Sequence, residues 1–346
     1  MLSFSVTFAD VTVYGMIDQA YLKSKKTSDT TNQSTKTTNS ITGVQNGGSD
    51  IGFKGSEDLG SNTKAEFVYE LGISAEKDPT PTNRQAFVSI SGDGGSLKVG
   101  KQYSQAFLNS VHVDPLGATG VAGAVYANIL LTGNGGDADG PLRQANGMQY
   151  TLPSFAQGLG ATLTHTVGTE QDSKSGDGNG IALNYANGGL YAGLTYDITK
   201  KVGITDPTDP LKMIAAASSN DSNKLTTISG GYDMGVANLT INYASVAVGQ
   251  NNIKNTAVGV KVPFGNISFG ASISSGTLNV YSNALNKLFS PKINGYQLGL
   301  DYALSKRTVA YIHMGQVEVA AITNGQAVLV GRAKQNDTAF GLRHSF

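Results

Sequence analysis

TAFGLRHSF (338–346), at the end of the chain, decides the fold. Phe340, Leu342, His344 and Phe346 fall on one face, and Ala339, Gly341, Arg343 and Ser345 on the other. That period of two belongs to a β-strand. Upstream, Ala65, Phe67, Tyr69 and Leu71 alternate with Lys64, Glu66, Val68 and Glu70. Likewise Leu239, Ile241 and Tyr243 alternate with Thr240, Asn242 and Ala244. No long segment has the three-and-four apolar spacing of a helix.

Turn residues punctuate these runs. Gly60-Ser61-Asn62, Asp93-Gly94-Gly95, Asn187-Gly188, Met234-Gly235, Phe264-Gly265-Asn266 and Ser305-Lys306-Arg307 read as tight turns, because Asn, Asp and Gly tolerate the positive φ of short hairpins. Between them fall long connections at 26–47, 75–83, 103–142, 169–178, 200–222, 276–291 and 319–335. The first contains KKTSDTTNQSTKTTNS (25–40), a low-complexity stretch expected to be mobile. About sixteen strands lie between the connections, an even number as in single-chain outer-membrane barrels.

Composition excludes much else. Lys+Arg 25 balances Asp+Glu 25, so no basic excess argues for nucleic acid as a partner. With no Cys among 346 residues, disulfides, thiolate metal sites and a cysteine nucleophile are ruled out. No apolar run reaches the ~18 residues of a membrane helix. Only 14% of residues are charged and 44 are glycine. The opening MLSFSVTFA (1–9) resembles the tail of a secretory signal peptide, leaving 10–346 as a single domain. A soluble sandwich would show the same alternation. Two features favour a barrel instead: an inner face rich in Lys, Glu, Arg, Thr and Gly, and loops short at one end and long at the other. Such a sheet must close, because unpaired edge groups in hydrocarbon cost several kcal/mol each.

Six motifs add a resemblance over essentially the whole chain: DVTVYGMID (10–18), SDIGFKGSEDLGSNTKAEFVYE (49–70), TNRQAFVSISGDGGSLKVGKQY (82–103), RQANGMQYTLPSFAQGLG (143–160), SKRT (305–308) and TAFGLRHSF. In order and spacing they resemble the Gram-negative general porins, particularly the beta-proteobacterial branch. The resemblance implies an all-β, transmembrane antiparallel barrel of 16 strands in the bacterial outer membrane. It implies a homotrimer in contact with outer-membrane lipid and lipopolysaccharide, passing ions and small hydrophilic solutes; no cofactor is expected, and no motif for a metal site is present in the sequence. It also implies that the barrel assembly machinery reads the last strand, on which Phe340, Leu342 and Phe346 match the expected pattern.

The third long connection, 103–142, is where selectivity is expected. Its apolar middle, VAGAVYANILL (121–131), suits a loop folded inward against the wall better than a solvated one. By resemblance, Arg84 and Arg143 occupy two wall-arginine positions facing that loop, Asp50 replaces a third arginine, and Glu70 matches an acidic position near the eyelet. Lys54 and Lys64 share lumen parity, and Asp114, Asp137 and Asp139 lie on the loop. Arg84 shares parity with Ala86, Val88 and Ile90, which look lipid-facing, so a bulge is needed to bring it inward. The exchange at Asp50 predicts weak charge selectivity. Tyr14, Phe53, Phe67, Tyr69 and Tyr243 are candidates for interfacial aromatic girdles.

Rival functions have less support. Among His112, His165, His313 and His344 none sits in a nucleophile motif, so hydrolysis is not expected. A substrate-specific channel for a small anionic or sugar solute is the alternative, although no aromatic slide or dense basic ladder is visible. A plugged, non-conducting barrel is the third.

Overall fold

The computed structural model describes residues 10–28, 34–44, 48–74, 80–123, 142–168, 176–200, 222–249, 251–282, 287–320 and 332–346. The signal-like segment 1–9, Asp137 and Asp139 lie outside them, as does most of VAGAVYANILL beyond Gly123.

Among the described residues the strands are β1 (Asp10–Ser28), β2 (Ser34–Thr42), β3 (Ser49–Gly60), β4 (Thr63–Ile73), β5 (Thr82–Gly92), β6 (Gly95–Tyr103), β7 (Arg143–Thr151), β8 (Leu159–Thr166) and β9 (Gly178–Asn187). They continue as β10 (Leu190–Thr199), β11 (Asn223–Asp233), β12 (Asn238–Val248), β13 (Asn251–Phe264), β14 (Ile267–Ser282), β15 (Lys287–Phe289), β16 (Lys292–Ala303), β17 (Thr308–Ala320) and β18 (Ala333–Ser345). One helix, α1 (Gln105–His112), follows β6.

Every pairing is antiparallel, and β1 pairs with β18, which closes the sheet. Two wall strands are interrupted. The upper half of β1 pairs with β2 and the lower half with β3, while β14 pairs with β15 above and β16 below. Counting each interrupted pair once gives the sixteen staves expected. At the seam the Phe346 N–H donates to the Gly15 carbonyl at 3.1 Å, and the Gly15 N–H donates to Phe346 O at 3.3 Å.

Outward positions form an apolar belt around the cylinder, including Val88, Ile90, Ile228, Ile241, Ile273, Phe340 and Leu342. Fully paired backbones let this surface face hydrocarbon. Inward positions are mostly polar, but Leu225, Val246, Ile253, Leu278, Ile293 and Val319 form an apolar cluster with Ala106 of α1 on one inner wall.

Three expectations need correction. The low-complexity stretch is not a free loop at its ends: Lys25 pairs with Thr37 and Lys26 with Lys36 in a continuation of the β1–β2 ladder. Threonine is β-branched and favours extended backbone, and such a rim needs no apolar face. Similarly, β14 runs to Ser282, past the predicted start of its loop at 276. On the long-loop side β12 ends at Val248 and β13 begins at Asn251, a tight connection the sequence reading missed.

Candidate functional site

The third loop enters the lumen through a capped helix. Ser104 Oγ accepts the Phe107 N–H at 3.1 Å, satisfying a donor the first helical turn leaves open. After α1 the chain crosses the inner wall, tied at successive points. Tyr191 OH donates to Asn109 Oδ1 at 2.9 Å. His313, fully buried, meets Thr119 Oγ1 at 3.0 Å through Nδ1 and Asp301 Oδ1 at 2.9 Å through Nε2. Gln297 Nε2 donates to the Val121 carbonyl at 2.7 Å, and the Ala122 N–H donates to Asp337 Oδ2 at 2.9 Å.

Glycines make this close approach possible. A Cβ at Gly259 would meet Pro115, at Gly270 or Gly299 Leu116, at Gly315 the Ala122 carbonyl, and at Gly295 Gly123. These positions belong to β13, β14, β16 and β17, so a track free of side chains crosses the wall beneath the loop. Sequence reading took glycine as a turn residue and missed this use, although glycine inside a strand marks close backbone approach.

The interrupted stave of β2 and β3 joins the same architecture. The Gly120 N–H donates to the Val44 carbonyl, and the Val44 N–H donates to Asp18 Oδ2 at 2.6 Å. Asp18 Oδ1 accepts from Tyr311 OH, also at 2.6 Å.

Across the lumen, on β3 to β7, the structure gathers Asp50, Glu70, Arg84, Arg143 and Lys54. Arg84 is the hub. Its Nε donates to Glu70 Oε1 at 2.8 Å, a guanidinium nitrogen lies 3.7 Å from Asp50 Oδ2, and the same nitrogen donates to Tyr103 OH at 2.9 Å. Glu70 also accepts from Tyr14 OH at 2.9 Å, Gln85 Nε2 at 3.1 Å and Tyr103 OH at 3.2 Å. Arg143 stacks over the Tyr103 ring at 4.9 Å and donates to its hydroxyl at 3.4 Å. Lys54 sits over the Tyr14 ring at 5.3 Å.

The bulge that Arg84 requires is present. Glu70 pairs with Gln85 but Leu71 with Asn83, so Arg84 is the extra residue and turns inward. Two residues opposing one is how a sheet re-aims a side chain. Val88 and Ile90, of the same parity beyond the bulge, remain outward.

Lys64 and Asp114 do not join the group. Lys64 pairs with Asp58 beside the short turn, six residues from Glu70 and so about 20 Å away along the strand. Asp114 is buried, and its carboxylate accepts the N–H groups of Leu116 at 2.9 Å and Ala118 at 3.0 Å. It shapes the loop rather than lining the passage. Burial pushes the Asp114 carboxyl above its ordinary value, against the downward pull of those two donors. Tyr14, a girdle candidate, instead faces the lumen, because β1 presents its even-numbered residues inward there. Gln85 and Tyr103, which complete the network, were not picked out from sequence; their roles depend on the bulge and on the loop entry.

The comparisons agree with this architecture. The family model described as Gram-negative porin matches residues 2–321. The major outer membrane protein P.IB of Neisseria gonorrhoeae is 27% identical, with 98% of this chain and 95% of that protein covered. Among solved structures, the anion-selective porin from Comamonas acidovorans superposes with a TM-score of 0.78 at 22% identity, covering 98% of this chain and 100% of its own. The trimer form of OmpT from Vibrio cholerae gives a TM-score of 0.65 at 13% identity, covering 98% and 99%. With a closed sixteen-stave cylinder, greasy outside and narrowed by an inserted loop, the chain belongs to the Gram-negative porin family as a diffusion channel of the bacterial outer membrane.

Proposed function

We propose that this porin is a general pore of weak charge preference, with a slight bias toward anions. The observation that carries the reading is the compensation of Arg84. Its charge is shared with Glu70 at 2.8 Å and Asp50 at 3.7 Å. Of the five ionic groups collected on that wall, three are basic and two acidic, leaving one positive charge in excess. On the opposite wall, Asp114, Asp18 and Asp337 are buried and hydrogen-bonded, and Asp301 meets His313 at 2.9 Å. A single excess charge in a water-filled passage is worth about 1 kcal/mol at 4 Å and is further screened by salt. The anion selectivity named for the Comamonas relative fits the direction.

The test is the reversal potential in a salt gradient across a planar bilayer. The native channel should give a small anion-side value. Asp50→Arg should move it clearly toward anions, because the exchange raises the excess on that wall from one positive charge to three. An unchanged potential in that variant removes Asp50 from the eyelet.

The same reading takes the protein as a homotrimer, as the OmpT trimer form supports, in which solutes pass without chemical change. Residues 1–9 are then the remnant of an export signal and 10–346 the barrel. Phe346, Leu342 and Phe340 form the stripe that barrel assembly machinery recognises; all three are outward-facing and exposed.

A further inference from the structure

The lumen wall across from the docked loop sets three of its cations against aromatic rings. Lys54 Nζ lies 5.3 Å from the centre of the Tyr14 ring, the Arg143 guanidinium 4.9 Å from that of Tyr103, and Lys98 Nζ 5.0 Å from that of Phe87. All six residues face inward. Val13, Phe53, Val88, Leu97 and Val99, next to them in sequence, are exposed on the outer face, and side chains alternate along a strand. Tyr103 and Arg143 reach the Arg84 network from the same side. The six come from β1, β3, β5, β6 and β7, which is why no ring-and-cation track is visible in the sequence.

Exposure separates these residues from the ion-pair hub. Asp50, Glu70 and Arg84 are buried, whereas Lys54 is exposed and the other five are half-buried. A solute in the bore therefore meets the ring-and-cation pairs rather than the hub. Neither Lys54 nor Lys98 has an ion-pair partner among the described residues. Glu66 shares a cross-strand row with Ser89 and Lys98, but it stands two strand spacings from Lys98, about 10 Å. Both lysines thus keep their charge for a visitor.

The pairs follow one another along the passage. Tyr103 and Arg143 are opposite each other where the third loop begins. Lys54, Val68 and Phe87 form one row across β3, β4 and β5, so Lys54 and Phe87 are about 10 Å apart. Lys98 pairs with Ser89, two residues nearer the short turn than Phe87. Lys98 and Tyr103 are five residues apart on β6, which is about 17 Å of wall.

We propose that this wall is a binding track for aromatic carboxylates, laid over the weak preference for small anions. The proposal rests on the reading of the lumen as an open passage. An aromatic acid uses both halves of each pair: its carboxylate accepts from the cation, and its ring packs against the wall ring or the guanidinium plane. A neutral sugar gains nothing from the charges, an aliphatic acid gains less from the rings, and an aromatic cation is repelled.

The test records chloride current through the full chain in planar bilayers while sodium benzoate, sodium cyclohexanecarboxylate or benzylammonium chloride is added. The two acids carry the same charge on bodies of similar size and differ in the aromatic ring. An aromatic pair is worth roughly two- to tenfold beyond its buried area, so benzoate should halve the current at a concentration about threefold or more below that of cyclohexanecarboxylate. Benzylammonium should act more weakly than either acid. In Lys54→Gln/Lys98→Gln/Phe87→Leu the benzoate advantage should vanish, and in Lys261→Gln, on the far wall, it should persist. Equal action of the two acids on the native channel, or a full benzoate advantage in the triple variant, overturns the proposal. Current in chloride alone separates the two readings. A chain that carries none overturns the pore and the track with it, whereas a conducting channel indifferent to the ring overturns the track alone.

Discussion

Adding two methyl groups to the glycine track should move the third loop without touching a charge. In Gly270→Ala the new Cβ would lie 2.8 Å from Leu116 Cδ2 and 2.9 Å from the Pro115 carbonyl oxygen. In Gly315→Ala it would run into the Ala122 carbonyl. The Leu116 side chain can rotate, but the two carbonyls are backbone. Ordinary contact distances are about 3.5–4.0 Å, so Pro115 must retreat by roughly 0.6–1.1 Å and Ala122 by more. The wall is fixed by its ladder, and the loop can retreat only into the passage. Overpacking of this kind costs typically 1–3 kcal/mol, enough to weaken the ties through Thr119, Val121 and Ala122. The double variant should therefore show lower single-channel conductance and noisier current at unchanged trimer yield. Gly94→Ala is the control, since a Cβ there meets nothing within 4 Å. Native conductance and quiet current in the double variant would refute the idea that the track seats the loop.

Two further outcomes follow from the same structure. Asp114 has a carboxyl pKa raised by burial, so the docked loop binds a proton more readily than the released one. Its contribution to docking is complete below the ordinary carboxylate range near ~4 and is lost as pH rises through the raised value. Acidification should slow protease nicking of the loop, and Asp114→Asn should abolish that dependence. Deleting Phe346 removes both backbone hydrogen bonds to Gly15 at the seam and should sharply lower heat-resistant trimer in outer membranes. Normal assembly of the shortened chain would exclude a role for that residue in sorting.

Alternation made the cylinder legible because each strand meets two solvents, and a period of two survives in any register. The terminal stripe and the count of sixteen follow from it and from the lengths of the connections; the inward third loop was expected from the apolar stretch 121–131 and from the family resemblance. The lumen cluster was partly legible, largely through the family motifs: Asp50, Glu70, Arg84, Arg143 and Lys54 do converge. What placed Lys64 wrongly was height, since parity says which face a residue takes but not how far along the barrel it lies. Asp114 was misread because an acidic residue on a loop looks the same in sequence whether it faces water or closes a turn on N–H groups at 114+2 and 114+4. The glycine track escaped notice for a related reason: its members are far apart in the chain and become a line only when β13 to β17 stand side by side.

The break in the second stave couples the outside of the cell to the bore. The surface hairpin of β1 and β2 ends at Val44, which is pinned to Asp18 and grips Gly120 through its carbonyl. A pull on this hairpin would thus reach the inserted loop through the N–H and the C=O of one residue, Val44.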